Sequence, residues 1–236
     1  MTIEERYEPR VFADLIFADK TVETICRRYA TTKPHKPLML WGPPGTAKTT
    51  TARVIVRERH QLAGFESNPE EFNGAELSHD DFDMLINTAS YSKLNTNDPI
   101  LIINELDELS KADQAKFRSW MDKWKWIKLI VTTNEQPGIQ GVRQKLMPAL
   151  VSRFECVELA PLSVADVVPR AQHILAQEGH AVSQQDVQLL LNSFDGDIRE
   201  MLPLIEAALC ALQTSASPPV RSKPSLHVVP SQQPKP

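Results

Sequence analysis

The most specific chemistry in this chain lies in residues 38–54, which read Leu38-Met39-Leu40-Trp41-Gly42-Pro43-Pro44-Gly45-Thr46-Ala47-Lys48-Thr49-Thr50-Thr51-Ala52-Arg53-Val54. A short apolar run enters a Gly/Pro loop, and a helix-forming stretch leaves it. Gly42 and Gly45 can take left-handed backbone angles closed to other residues, so the loop can turn its N–H groups inward around an anion at a helix N-terminus. Lys48 would reach terminal phosphates and Thr49 would offer its hydroxyl to Mg²⁺. Ala47 stands where the phosphate-loop pattern calls for glycine; a left-handed backbone there would cost roughly 1–2 kcal/mol. A plain turn needs Gly and Pro but not Lys-Thr at a strand-to-helix junction, so nucleotide binding is the expected chemistry.

A second constellation follows. Ile100-Leu101-Ile102-Ile103 is a continuous apolar run of the kind that forms a buried parallel strand, and it delivers Asn104 and Glu105 at its end. Phosphoryl transfer to water needs a polar group on the metal side and a residue that orients the water, both at strand tips beside the phosphate loop. Glu105 is placed to polarise that water. The apolar run 126–133 likewise delivers Asn134.

The elements that must position these residues alternate. Strands are expected at 38–41, 71–73, 100–103, 126–133 and 154–159. Helices are expected at 48–62 with Gly64 as its stop, 79–89 capped by Ser78, 111–124 and 149–153 opened by Pro148. This alternation predicts an α/β fold: a doubly wound parallel sheet with its ligand at the C-terminal strand ends. Before it come an ordered arm, through which Pro9 forbids a continuous helix, and a helix from 20 to about 29 capped by Asp19. Residues 34–37 and 95–99 read as turns, and a loop holds Pro137, Gly138 and Gly141. Phe117, Trp120, Met121 and Trp124 form one helical face and read as core, with Ala112, Lys116, Ser119 and Lys123 on the solvated side. After Pro161 only helices are expected, at 164–177, 184–192 and 198–212. The organisation is thus a core of residues 1–160, a small all-helical lid of 161–213 and a disordered Pro/Ser-rich tail of 214–236.

Composition excludes several classes. The 236 residues are 42% hydrophobic and 24% charged with net charge −4, which supplies no global basic field for nucleic acid. Cys26, Cys156 and Cys210 are widely spaced and set in apolar patterns, so they read as reduced core thiols rather than a disulfide or zinc framework. Without an apolar signal core or a membrane-length run, a cytoplasmic, non-membrane protein is expected.

Taken in order, these motifs resemble the AAA+ ATPases, and most nearly the small subunits of sliding-clamp loaders such as replication factor C. Glu5-Arg6-Tyr7-Glu8-Pro9-Arg10 is similar to the arm that lines the adenine pocket, Gly42 to Thr50 to Walker A, Ile100 to Asp107 to Walker B, and Thr133-Asn134 to sensor 1. Phe72-Asn73-Gly74-Ala75-Glu76 resembles the family's Leu-Asn-Ala-Ser-Asp segment. Leu150-Val151-Ser152-Arg153-Phe154 resembles the Ser-Arg-Cys motif whose arginine reaches a neighbouring subunit's ATP, and Gly196-Asp197-Ile198-Arg199 resembles sensor 2. Singly, Asn134, Arg153 and Arg199 are unremarkable residues; their order and spacing make the case. The resemblance implies ATP and Mg²⁺ as cofactors, Tyr7 and Arg10 at the nucleotide, Thr49 and Asn104 at the metal, and other AAA+ subunits, a sliding clamp and primed DNA as partners.

The departures carry expectations of their own. Asn104 replaces the Walker B aspartate, which predicts retained ATP binding with weak turnover. Residues 76–83 are acidic where clamp loaders tend to place an arginine toward DNA, leaving Lys111, Lys116, Arg118 and Lys123 as a sparse phosphate track. No counterpart of the family's collar is expected after residue 213. The alternatives are a poorly hydrolysing subunit that lends Arg153 to a neighbour, and a protein-remodelling AAA+ ATPase. The latter needs an aromatic pore loop, and residues 87–99 offer only Tyr91 with no glycine beside it.

Overall fold

A computed structural model describes residues 2–32, 35–66, 68–96, 98–138 and 145–215. Pro34, Asn97, Gly141 and the tail from residue 216 therefore lie outside the described residues. The chain runs α1 (Ile3–Tyr7), α2 (Lys20–Thr31), β1 (Leu38–Trp41), α3 (Lys48–Leu62), β2 (Glu70–Asn73), α4 (Phe82–Thr96), β3 (Ile100–Asn104), α5 (Lys111–Lys123), β4 (Lys128–Thr133), α6 (Pro148–Val151), β5 (Glu155–Glu158), α7 (Val164–Gln177), α8 (Gln184–Leu190) and α9 (Ile198–Ser215).

Among the described residues the sheet has five strands in the order β2-β3-β4-β1-β5, and every pairing is parallel. Successive side chains of a strand point to opposite faces, and here both faces are covered, which is why the strands read as unbroken apolar runs. Met39, Leu101, Ile103, Leu129 and Val131 pack on one side with Phe82 and Leu85 of α4 and Phe117, Trp120 and Met121 of α5. Leu38, Leu40, Ile100, Ile102 and Ile130 pack on the other with Cys26 and Tyr29 of α2 and Ala52, Ile55 and Val56 of α3. A third apolar cluster joins Ile3 of the arm to Val167, Ala171 and Leu175 of α7, Val187 of α8 and Ile205 and Leu209 of α9. Tyr7 Oη donates to Glu178 Oε1 at 2.6 Å and Arg170 pairs with Asp14 at 2.8 Å, so the arm is fastened to α7 and its end.

Two sequence expectations need correction, and one element was not anticipated. The segment after Ser78 begins as a 3-10 turn, His79–Asp81, and the α-helix then runs to Thr96, well past residue 89 and through part of the expected turn. Buried Leu85, Ala89, Ser92 and Thr96 keep helical spacing along it, so packing carries the helix through its polar end. The arm adds a short helix that was not anticipated, α1, opened by a capping box between Thr2 and Glu5; it stops before Pro9, as expected of that residue. Only Cys26 is a core thiol; Cys156 and Cys210 are exposed, Cys156 because edge strand β5 buries little beyond Val157.

One buried cation ties the layers together. Arg59 of α3 pairs through Nε with Asp98, just before β3, and donates through Nη1 to the Tyr29 and Thr32 carbonyls at the end of α2. Lys128, at the start of β4, pairs with the same Asp98. Burial lowers the pKa of Arg59. Removing one member of a buried network leaves the others unpaired in low dielectric. Arg59→Leu is therefore expected to destabilise the protein by about 3–5 kcal/mol, read as a shift in the urea midpoint; a loss below about 1 kcal/mol would show that the network is not structural.

Candidate functional site

The tips of β1, β3 and β4 end side by side, and the loop from Gly42 to Ala47 crosses them before α3 begins. Gly42 and Gly45 have φ of +150° and +80°, and Ala47 is left-handed with φ 61° and ψ 25°. The strain anticipated for alanine at that position is thus present. Lys48 is buried, and its Nζ donates to the Gly42 carbonyl at 2.8 Å and the Pro43 carbonyl at 2.6 Å. Burial is the main cause lowering its pKa, partly opposed by Asp107. The ammonium is folded back on two carbonyls of its own loop.

An open cleft of about 680 Å³ lies over this loop, lined by Gly45 to Thr50, Glu105, Thr132, Asn134 and Arg199 among others. A second, mostly apolar cleft of about 1020 Å³ shares Ala47, Thr50, Ile198 and Arg199 with the first and is walled by Tyr7, Pro9, Ile16, Leu162 and Met201. The cleft over the loop is thus of mixed polarity and adjoins a mostly apolar one. The structure therefore brings together Tyr7, the loop, Lys48, Thr49, Thr50, Glu105, Asn134 and Arg199. Arg10 is exposed and lines neither cleft; its backbone N–H donates to Asp14 Oδ2 at 3.1 Å. Arg153 is also apart from both, held by Asp122 through Nε at 2.9 Å and Nη2 at 2.6 Å, an arrangement that raises its pKa.

Asn104 is half-buried at the tip of β3. Its Oδ1 accepts from Thr49 Oγ1 at 2.9 Å and from Thr132 Oγ1 at 3.2 Å. Its Nδ2 donates to Glu71 Oε2 at 3.2 Å, and Glu71 is paired with Arg53 of α3, whose pKa is raised chiefly by that hydrogen bond. Thr132 Oγ1 also accepts from the Glu105 N–H at 3.1 Å. Glu71, Arg53 and Thr132 were not singled out from the sequence; Glu71 sits two residues before Asn73, on the same face of a weak strand, and only the register Asn73↔Asn104 reveals its neighbour.

Arg199 is clamped by Asp197, with contacts of 2.9 and 3.0 Å from Nε to the two carboxylate oxygens, and lies 69% exposed. Asp197 in turn lies on the phosphate loop: a Cβ added to Gly45 would stand 2.2 Å from its carboxyl carbon. The Ile198 N–H donates to the Gly45 carbonyl at 2.9 Å, joining the start of α9 directly to the loop. Among the described residues no group of three or more His, Cys, Asp and Glu side chains could hold a metal by itself. The donors present, the Thr49 hydroxyl and the Asn104 amide oxygen, fit a Mg²⁺ ion carried mainly by phosphate oxygens.

Residues 38–162 match the model of the ATPase family associated with various cellular activities (AAA), and the chain belongs to that family. Its curated relatives include replication factor C subunit 5 of Arabidopsis thaliana, 26% identical over 209 residues, covering 86% of this chain and 54% of that protein. The Homo sapiens replication factor C subunit 5 is 26% identical, with 86% and 58% covered, and the Aeropyrum pernix replication factor C small subunit 22% identical, with 86% and 61% covered. The chain thus spans between half and two thirds of the length of these relatives. Among solved structures it resembles the Thermotoga maritima RuvB Holliday junction branch migration motor, with TM-score 0.68 and 18% identity over 89% of this chain and 67% of that one. It also resembles domain III of the Thermotoga maritima replication initiation protein DnaA, with TM-score 0.62 and 16% identity over 87% and 90%. These two likenesses concern the fold.

Glu105 has φ 55° and ψ 49°, the other non-glycine residue with a left-handed backbone among those described. Its carbonyl presses on Gly74 at the end of β2, where an added Cβ would lie 2.4 Å from the oxygen. The neighbour is backbone and cannot swing aside. Gly74→Ala is expected to cost about 1–3 kcal/mol, measured by chemical denaturation; an unchanged midpoint would mean that the Glu105 turn is not held from β2.

Proposed function

We propose that this chain is an ATP-binding subunit of an oligomeric, clamp-loader-type AAA+ switch acting in DNA replication or repair, and that it hydrolyses ATP slowly. The observation that carries this reading is the Ile198 N–H to Gly45 carbonyl bond, with Arg199 beside it in the cleft. A ligand that fills the loop must act on the start of α9, and a ligand shifts a conformational equilibrium only through such differential contacts.

In this reading the loop N–H groups of residues 42–50 wrap the phosphates, and Lys48 leaves the Gly42 and Pro43 carbonyls to meet them. The base enters the apolar cleft beside Tyr7, while Arg10 plays no direct part. Mg²⁺ would be held through Thr49 with Asn104 behind it, and would neutralise phosphate charge. Glu105 polarises a water for attack on the γ-phosphorus, and the bond to the β,γ-bridging oxygen breaks. Asn134 and Arg199 contact the γ-phosphoryl oxygens, which requires Arg199 to leave Asp197. Arg153, released from Asp122, would serve the ATP of a neighbouring subunit. The division into a core of 1–160, a helical lid from 161 that α9 carries to Ser215, two residues past the expected end, and a tail beyond it belongs to the same proposal, as do a sliding clamp and primed DNA as partners and a cytoplasmic location. Lys111, Lys116 and Lys123 are exposed on α5 and open to a DNA backbone. Among the described residues no helix is long and apolar enough to cross a membrane.

The second reading, a poorly hydrolysing subunit that lends Arg153, is favoured by the neutral Asn104. Turnover of the chain alone against turnover after mixing with cellular partners separates the two. Lys48→Ala is expected to weaken ATP·Mg binding in titration calorimetry by at least about 10-fold, the equivalent of about one charge-assisted contact. Glu105→Gln is expected to keep that binding and lower turnover by about 100-fold or more. Binding indifferent to Lys48 would sink the nucleotide reading. Intact turnover in Glu105→Gln would assign the slow step elsewhere.

A further inference from the structure

An asparagine at a strand tip poses a problem that an aspartate does not. One end of its amide accepts and the other donates, and the two ends are alike in shape, so an oxygen faces Thr49 only if something selects that orientation. Thr49 and Thr132 cannot select it, because a hydroxyl rotates to donate or to accept. Glu71 can. An ionised carboxylate only accepts, and Glu71 Oε2 receives Asn104 Nδ2 at 3.2 Å; the reversed amide would set oxygen against oxygen.

Glu71 is itself fixed. Arg53 grips it with Nε on Oε1 at 2.6 Å and Nη2 on Oε2 at 2.9 Å. Arg53 follows Thr49 by four residues, one turn further along the same face of α3. Thr49, Asn104, Glu71 and Arg53 therefore close a ring that leaves α3, crosses β3 and β2 and returns to α3. We propose that Glu71, held by Arg53, is the positioning residue of this site: it locks the Asn104 amide with Oδ1 toward Thr49, so that an asparagine supplies the acceptor expected from an aspartate. The negative charge sits one strand over, on β2 instead of β3.

The converse follows from the same distances. With aspartate at position 104, a carboxylate oxygen would stand where Nδ2 now donates to Glu71, and the hydrogen bond would give way to two acceptors facing each other. Asn104 and Glu71 are a matched pair, and Asn104→Asp alone does not rebuild the family pattern.

A double-variant cycle on the whole chain, without nucleotide, tests the pairing. Asn104→Asp is expected to lower the thermal midpoint by about 3 °C or more while Glu71 is present, and by much less in the Glu71→Gln background. Additive shifts would overturn the proposal. A second measurement rests on the nucleotide reading of this site. Glu71→Leu is expected to remove about 10-fold of the Mg²⁺-dependent part of ATP affinity, leave metal-free ATP binding unchanged, and be rescued by adding Asn104→Asp, whose carboxylate needs no orienting. An unaltered Mg²⁺ dependence in Glu71→Leu, or no rescue, would contradict it. If the unchanged chain binds no ATP, the nucleotide reading fails, and the cycle without nucleotide still decides the pairing.

Discussion

The hydrogen bond from Thr49 to Asn104 joins the helix that follows the phosphate loop to the tip of a buried strand, and the geometry of the site depends on that junction. A parallel sheet makes it possible: all C-terminal tips lie along one edge, so α3, β3 and β4 converge where the loop turns. Thr132 extends the junction to β4 by bonding both Asn104 and the Glu105 backbone. Two left-handed residues that are not glycine, Ala47 and Glu105, flank it. Such conformations persist only where the surroundings over-determine them. Here those surroundings are the loop entering α3 and the close approach of Gly74 to the Glu105 carbonyl.

Much of the fold was legible because the sheet is buried on both faces. Continuous apolar runs marked β1 and β3, and α3 and α7 occupy the spans their periodicity and caps indicated. The sequence pattern failed where local signals and packing disagree. Polar Asn95 and Thr96 looked like a turn, yet Thr96 is buried and its hydroxyl donates to the Ser92 carbonyl, so α4 continues. Cys156 sits in an alternating apolar pattern but on an edge strand, which leaves it exposed.

The site divides in the same way. Residues contributed by one continuous motif, Gly42 to Thr50, were visible at once, Glu105 and Asn134 were marked by the strand ends that deliver them, and Arg199 came from the resemblance of its segment to sensor 2. Partners brought in by strand register were not: nothing in the sequence around Glu71 shows that its carboxylate reaches Asn104, which stands opposite Asn73, diagonally across β2 and β3. Asp197 was read as part of a motif, but its seat against Gly45 depends on how α9 docks. Arg10 was carried by resemblance alone, and the chain turns it to solvent. The AAA family match over residues 38–162 accounts for the loop and the sheet, whereas the contacts made by Asp197, Ile198 and Arg199 come from beyond it.

The central claim is that a triphosphate takes the place that Lys48 now shares with two loop carbonyls. A crystal structure with a non-hydrolysable ATP analogue and Mg²⁺ tests it most directly. The account predicts the triphosphate along residues 42–50, Lys48 Nζ moved from the Gly42 and Pro43 oxygens to the phosphates, and Arg199 detached from Asp197. A structure with the analogue bound elsewhere, or with Lys48 still on those carbonyls, would contradict it.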